Sequence, residues 1–165
     1  MIIRKYKKSD WTEVWQIIEK VFREGETYAY PPEIPEEDAH KVWIESPKET
    51  YVAIGKDNKI HGTYYIKANQ PALGSHVCNC GYIVSETARG TGLATSMCEH
   101  SQEVAKGLGF IAMQYNLVVS TNKNAIRLWK KLGFHIVGSL PKAFKSKSAG
   151  YVDALIMYKI GRAHV

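Results

Sequence analysis

The sequence predicts a mixed α/β fold, with elements in the order β-α-α-β-β-β-α-β-α-β-β. Three observations carry this. Apolar residues recur at helical spacing in separate stretches, the clearest being Trp11, Val14, Trp15, Ile18 and Phe22. Between those stretches lie short runs of β-branched and aromatic residues, bounded by Gly, Pro, Asn or Asp. One such run ends at Val84 and passes through a polar link into Arg89-Gly90-Thr91-Gly92-Leu93-Ala94, where a long helical pattern begins. A chain of 165 residues suits one core. No repeat or low-complexity linker divides it, so residues 1–165 are expected to form one domain.

The elements follow in order. Ile2 to Tyr6 is a short strand, and Ser9 and Asp10 offer N-caps for a helix that ends near Arg23, before Gly25. Glu26 to Pro32, with Pro35 beyond, is a loop, because proline donates no backbone hydrogen bond. Its Tyr28 and Tyr30 read either as a cluster packed on the core or as the wall of a substrate pocket. Glu36, Glu37 and Asp38 open a second helix through Trp43, where acidic side chains meet the positive end of the helix dipole. Tyr51 to Ile54 and Ile60 to Ala68 are strands joined by a polar hairpin loop. His76 to Val84 is a strand, Thr91 to Leu108 a helix, and Phe110 to Val119 a strand. Asn122 caps a helix that runs to Leu132 and stops at Gly133. Phe134 to Gly138 is a strand, Leu140 to Gly150 a basic loop, and Tyr151 to Ile160 the last strand.

Composition narrows the function classes. Hydrophobic residues make up 45% of the chain, as in globular proteins. No apolar run approaches the roughly 20 residues a membrane helix needs. The N-terminus has no signal-peptide pattern, so a cytoplasmic protein is expected, without a membrane partner. Three cysteines, Cys78, Cys80 and Cys98, do not make a disulfide framework. The formal net charge of +6 favours anionic partners but does not choose among nucleic acid, acidic lipid and a polyphosphate cofactor.

The glycine turn points several backbone N–H groups and the positive end of a helix at one spot, which suits a phosphate or pyrophosphate. It is not a Walker loop, and Thr95 stands where a dinucleotide fingerprint wants its third glycine. Taken alone, it reads equally as an ordinary tight turn.

A second motif changes that. Arg89-x-x-Gly92-x-Ala94 is followed by Asn122, Ala125, Leu128, Trp129, Gly133 and Phe134 at the spacing Asn-x-x-Ala-x-x-Leu-Trp-x-x-x-Gly-Phe. With the intervening helix and strand, the chain resembles the Gcn5-related N-acetyltransferases over essentially its whole length. The resemblance implies a twisted, mostly antiparallel sheet with one splayed parallel pair, and acetyl-CoA as acyl donor. It implies that the backbone amides of Arg89, Gly90, Thr91, Gly92, Leu93, Ala94 and Thr95 bind the pyrophosphate. The main chain of Tyr82, Ile83 and Val84 would pair with the pantetheine arm like an added strand, and amides near Gly81 to Ile83 would stabilise the oxyanion. Asn122 and Trp129 would lie against the cofactor.

His76, Cys78, Asn79 and Gly81, then Tyr115-Asn116-Leu117-Val118 with Thr121-Asn122, are similar to fungal acetyltransferases acting on proline analogues such as azetidine-2-carboxylate. That likeness points to Asn79 and Asn116 as residues that bind substrate and line the reaction centre, with Tyr28 and Tyr30 beside them. Asn116 interrupts an apolar strand, and a buried amide must find partners. A satisfied core asparagine is the competing reading. One position departs from the family: Trp129 stands where a tyrosine usually acts as general acid, and an indole N–H is no useful acid. Water, Tyr82 or Tyr115 are the remaining donors, and a thiol leaves fairly readily as thiolate.

His76, Cys78 and Cys80 share a strand face but lack the fourth ligand and tight-turn pairing of structural zinc, so no metal is expected. Lys142, Lys145 and Lys147 read as a solvated or phosphate-facing loop. The sequence therefore predicts an N-acetyltransferase for a small-molecule amine, an amino acid or analogue, rather than a nucleic-acid binder. A catalytically weak acyl-CoA-binding module, or a peptide, polyamine or antibiotic acceptor, stays open, as does a homodimer.

Overall fold

The computed structural model describes residues 1–161. Strand β1 (Ile2–Lys5) leads to helix α1 (Trp11–Glu24), whose apolar stripe buries Val14, Ile18 and Phe22. Burying a side chain of that kind is worth about 1.5–3 kcal/mol. The helix ends at Gly25, which takes the left-handed φ of +66° that a side chain would resist. Asp10 precedes α1 but makes no side-chain cap to it. Its carboxylate accepts instead from both Arg4 guanidinium nitrogens, at 2.8 and 2.9 Å, and from the Lys7 N–H. The pair to Arg4 holds Asp10 below the usual carboxylate range.

Helix α2 (Glu36–His40) continues through a wider turn at Lys41–Glu45, which drives Trp43 fully into the core. The Trp43 indole donates to Thr63 Oγ1 at 3.1 Å, and that hydroxyl donates to the Tyr51 carbonyl at 2.8 Å. The remaining elements are β2 (Glu49–Ile54), β3 (Ile60–Ala68), β4 (Val77–Val84), α3 (Leu93–Gly107), β5 (Ala112–Val119), α4 (Lys123–Lys131), β6 (His135–Ser146) and β7 (Gly150–Ile160).

The strands form one seven-stranded sheet in the order β1-β2-β3-β4-β5-β7-β6. Every neighbouring pair is antiparallel except β4 and β5. That parallel pair has register only at Val77 with Ala112 and Cys78 with Met113, after which the strands part. One sheet face packs under α3 and α4 through Cys78, Cys80, Met97, Tyr115 and Trp129. The other packs under α1 and α2 through Ile18, Trp43, Val52, Tyr65 and Ile83.

Several expected boundaries move: β2 begins at Glu49 rather than Tyr51 and β5 at Ala112 rather than Phe110, and two further shifts have a visible cause. The basic segment from Leu140 is strand rather than loop: β6 runs on to Ser146, pairing Phe144 with Val152 and Lys145 with Tyr151. A register shift between Leu140 and Phe144, with Lys142 at φ +52°, breaks the alternation that would have revealed the strand. Helix α3 begins at Leu93 and not Thr91, because Gly90 and Gly92 hold φ values of +77° and +85°. The β6–β7 hairpin is tied to the loop after α1. Glu26 accepts from the Ser146 hydroxyl at 2.8 Å and the Ser148 N–H at 2.8 Å, and Lys147 N–H donates to the Gly25 carbonyl.

Candidate active site

Where β4 and β5 part, a cleft of about 920 Å³ opens. Its donor end is the turn between β4 and α3. Both turn glycines are left-handed, and no atom lies within 4 Å of where a Cβ would stand at either. The first N–H groups of α3 therefore face open space with no side chain in front of them, at the positive end of a helix of 15 residues. That donor set fits a pyrophosphate. Arg89, Gly90, Gly92, Leu93, Ala94 and Thr95 all line the cleft. Thr91 does not; its hydroxyl donates to the Ala88 carbonyl at 2.6 Å and closes the turn. The Arg89 guanidinium sits 3.6 Å from Glu24 at the end of α1. Asn122 caps α4, accepting from the Ala125 N–H at 3.3 Å, and lines the same cleft.

The middle of the cleft is the free edge of β4. Ser85 N–H donates to the His61 carbonyl and Asn69 N–H to the Val77 carbonyl, both at 2.8 Å. Strand alternation between these points turns the main chain of Asn79, Gly81 and Ile83 toward β3. The groups of Cys80, Tyr82 and Val84 face the gap that β5 has left. Of the amides expected near Gly81 to Ile83, only that of Tyr82 is thus open to a ligand; the other two belong to the β3 ladder. The Tyr28 hydroxyl already donates to the Tyr82 carbonyl at 2.9 Å.

At the acceptor end, Asn79 spans the fork. Its Nδ2 donates to the Gln114 carbonyl at 2.9 Å, and its Oδ1 accepts from the Tyr65 hydroxyl at 3.2 Å. Gly81 makes room for this, since a Cβ there would run into the Tyr65 ring. Asn116 is exposed to the cleft rather than buried in the strand, because β5 has no neighbour on that side. It donates to Asn69 Oδ1 at 2.7 Å and accepts from Gln114 Nε2 at 3.0 Å. Tyr28 and Tyr30 stack with ring centroids 6.1 Å apart and line the cleft, while also packing edge-on against Phe22. Burial pushes the hydroxyls of Tyr28, Tyr30 and Tyr65 upward, so these groups stay neutral donors.

Trp129 closes the floor, its ring 5.2 Å from that of Tyr82 and 5.0 Å from that of Tyr115. The Tyr115 hydroxyl donates to the Tyr82 hydroxyl at 3.0 Å, and the latter lies 2.6 Å from Ser101 Oγ. Burial pushes both phenols well above their ordinary range. These hydroxyls serve a network beneath α3, so Tyr82 meets the cleft chiefly through its main chain. His76 lies exposed outside β4, and Cys78, Cys80 and Cys98 are buried free thiols. Among the described residues no group of three or more His, Cys, Asp or Glu is placed to hold a metal. Lys142, Lys145, Lys147 and Asp153 stand away from the cleft; Asp153 accepts from the Lys142 N–H at 3.0 Å and steadies the β6 irregularity.

Sequence reasoning missed Tyr65, Lys67, Asn69 and Gln114. Tyr65 and Lys67 were within reach: they alternate on a correctly bounded strand that pairs with β4.

Residues 11–134 match the acetyltransferase (GNAT) family. The chain is 36% identical over 112 residues to N-acetyltransferase aca1 of Schizosaccharomyces pombe, a stretch that covers 67% of this chain and 54%, about half, of that relative. It is 24% identical over 153 residues to the L-amino acid N-acetyltransferase AaaT of Escherichia coli, covering 90% of this chain and 93% of the relative. A Gcn5-related N-acetyltransferase from Kribbella flavida superposes with a TM-score of 0.91 at 34% identity, over 96% of each chain. A phosphinothricin acetyltransferase from Sinorhizobium meliloti, solved with acetyl-CoA, has the same fold at a TM-score of 0.86 and 18% identity, over 98% of this chain and 90% of that one. No helix among the described residues is long and apolar enough to cross a membrane. With its glycine cradle, parted strands and free β4 edge, the chain belongs to the acetyltransferase (GNAT) family.

Proposed function

We propose that residues 1–165 act as one domain that acetylates the amine of a small amino acid or amino-acid analogue. The observation that carries this reading is the acceptor end of the cleft. It joins an aromatic wall, Tyr28 and Tyr30, to two side-chain amides on diverging strands, Asn79 and Asn116. Such a mixture suits a compact solute with an apolar body and a polar head. The likeness to an L-amino acid N-acetyltransferase supports the same class.

Bound acetyl-CoA supplies a thioester whose carbonyl the amine attacks directly. The chain's own part is orientation and charge. The α3 N-terminus and turn amides hold the pyrophosphate end. The Tyr82 N–H, turned into the gap, is the oxyanion donor. The amine must arrive neutral, and an α-amino group with a reference pKa near 8 needs only a weak base such as a water chain. Trp129 cannot protonate the leaving thiolate. The Tyr82 and Tyr115 phenols, pushed upward by burial, are weaker acids than a free phenol. The thiol therefore leaves as thiolate.

An acetyl-transfer screen over amino acids, proline analogues, polyamines and peptides tests the reading. Amino acids or their analogues are expected to give the highest kcat/KM; a polyamine or peptide at the top would overturn it. Trp129 favours one second reading, a module that binds acetyl-CoA and turns it over poorly. Single-turnover kinetics separates the two, since tight binding without transfer to any amine would leave only the module.

A further inference from the structure

Lys67 has no role in the site so far. It sits on β3, two residues past Tyr65 and directly across from Asn79 on β4, so its side chain shares their sheet face. It is half-buried and lines the cleft, with Nζ 5.3 Å from the centroid of the Tyr65 ring. Among the described residues no carboxylate comes within ion-pair distance of it. The other cation on the cleft wall, Arg89, stands at the donor end beside Glu24.

The two asparagines at this end are partly committed already. Asn79 spends its oxygen on Tyr65 and one N–H on Gln114; Asn116 spends its oxygen on Gln114 and one N–H on Asn69. Each keeps one N–H to offer. Two neutral donors can orient an anion, but they leave its charge uncompensated in a half-enclosed site. A lysine with no partner, beside those donors, supplies the missing charge.

We propose that Lys67 binds the carboxylate of the acceptor, and that it selects amines bearing a neighbouring carboxylate over amines without one. This rests on the amino-acid reading above and names the residue that enforces it. The assignment has a second effect. An ammonium near the acceptor disfavours a second positive charge, so it shifts the substrate amine toward the neutral form that attacks. It also repels polyamines, whose remaining charges would face it.

The test uses the full chain with L-proline, L-azetidine-2-carboxylate, L-alanine and L-methionine, each beside its carboxamide, and with spermidine. The wild-type protein is expected to prefer acids to carboxamides about ten- to hundredfold in kcat/KM. Lys67→Met keeps the methylene stem and removes the charge. It should erase that preference chiefly by raising KM for the acids, with acetyl-CoA affinity unchanged. Lys67→Arg should keep most of the preference. Acetyl-CoA binding by each variant confirms the fold, and Lys67→Gln stands in if the Met variant fails it. An acid preference that survives the loss of charge, or an equal loss on acids and carboxamides, overturns the role of Lys67 and leaves the amino-acid reading standing. Wild-type transfer only to spermidine or carboxamides, or to none of the panel, overturns both.

Discussion

The two ends of the cleft are built from different materials. The donor end is main chain: left-handed glycines, the first amides of α3 and the free edge of β4. The acceptor end is side chain: Asn79, Asn116, Tyr28, Tyr30, Tyr65 and Lys67, drawn from the loop after α1 and from three strands. A main-chain site tolerates most changes of side chain but none that block the approach of the ligand. A side-chain site can be altered one residue at a time, and all of these residues but Tyr28, which also holds the Tyr82 carbonyl, act at this end alone. On the proposed function, the donor end would hold its ligand largely whatever the side chains are, while the acceptor end is free to differ.

The largest test of this contrast is Gly92→Glu. It puts a carboxylate into the cradle proposed for the pyrophosphate and forces a side chain into φ +85°, so acetyl-CoA binding measured by calorimetry should be lost. Gly92→Ala separates the two causes. The space beyond Gly92 is open, so alanine carries only the backbone strain, about 1–2 kcal/mol against the fold, and lowers affinity by at most about tenfold where the free turn relaxes. If alanine is as damaging as glutamate, the cradle assignment fails.

Asn116→Ala should act on the other end alone. The acceptor KM is expected to rise about tenfold, as for a lost hydrogen bond to a charged group, with acetyl-CoA affinity unchanged. Equal losses for both ligands would count against separate ends. Tyr28→Phe probes the one side chain that touches both. It keeps the ring on Phe22 and frees the Tyr82 carbonyl, so urea unfolding should show a loss of about 1 kcal/mol with a smaller change in acetyl-CoA affinity.

The smallest effect on the cleft should come from Asp10→Asn. Arg4 holds the Asp10 carboxyl below its ordinary value, so that stabilisation is full above about pH 4 and is lost as pH falls through the lowered folded value. The variant should be less stable at neutral pH, with a gap that narrows on acidification, and with both ligand affinities intact.

This division also explains what the sequence could reveal. The turn between β4 and α3 was legible because its glycines and the helix start are contiguous, from Arg89 to Ala94. The strands were legible wherever alternation held, as in β3, whose bounds match at both ends. β6 was hidden by its register shift at Leu140 to Phe144, where Pro141 and lysines mimic a loop. At the acceptor end, Asn79 and Asn116 stood out as amides within apolar strands. Their partners did not: the carbonyl that Gln114 offers Asn79 could come from any residue, its side chain reaches Asn116 from the same strand without a motif to mark it, and Asn69 lies 47 positions away. The alternation of β3 could place Lys67 on the face of Tyr65, but that no carboxylate among the described residues pairs with it is visible only in three dimensions.

The strand order has a consequence for how the protein is made. The last strand, β7, does not lie at the edge of the sheet but between β5 and β6. During synthesis β5 therefore waits for its outer neighbour until α4 and β6 have emerged, and such distant pairings form slowly. Until then the fork has only one secured side, and the Glu26 tether to the β6–β7 hairpin has nothing to grip. Any ligand that binds in the fork of the folded chain would favour the finished sheet over every earlier state, so on the proposed function the availability of acetyl-CoA would bear on the yield of folded protein as well as on its turnover.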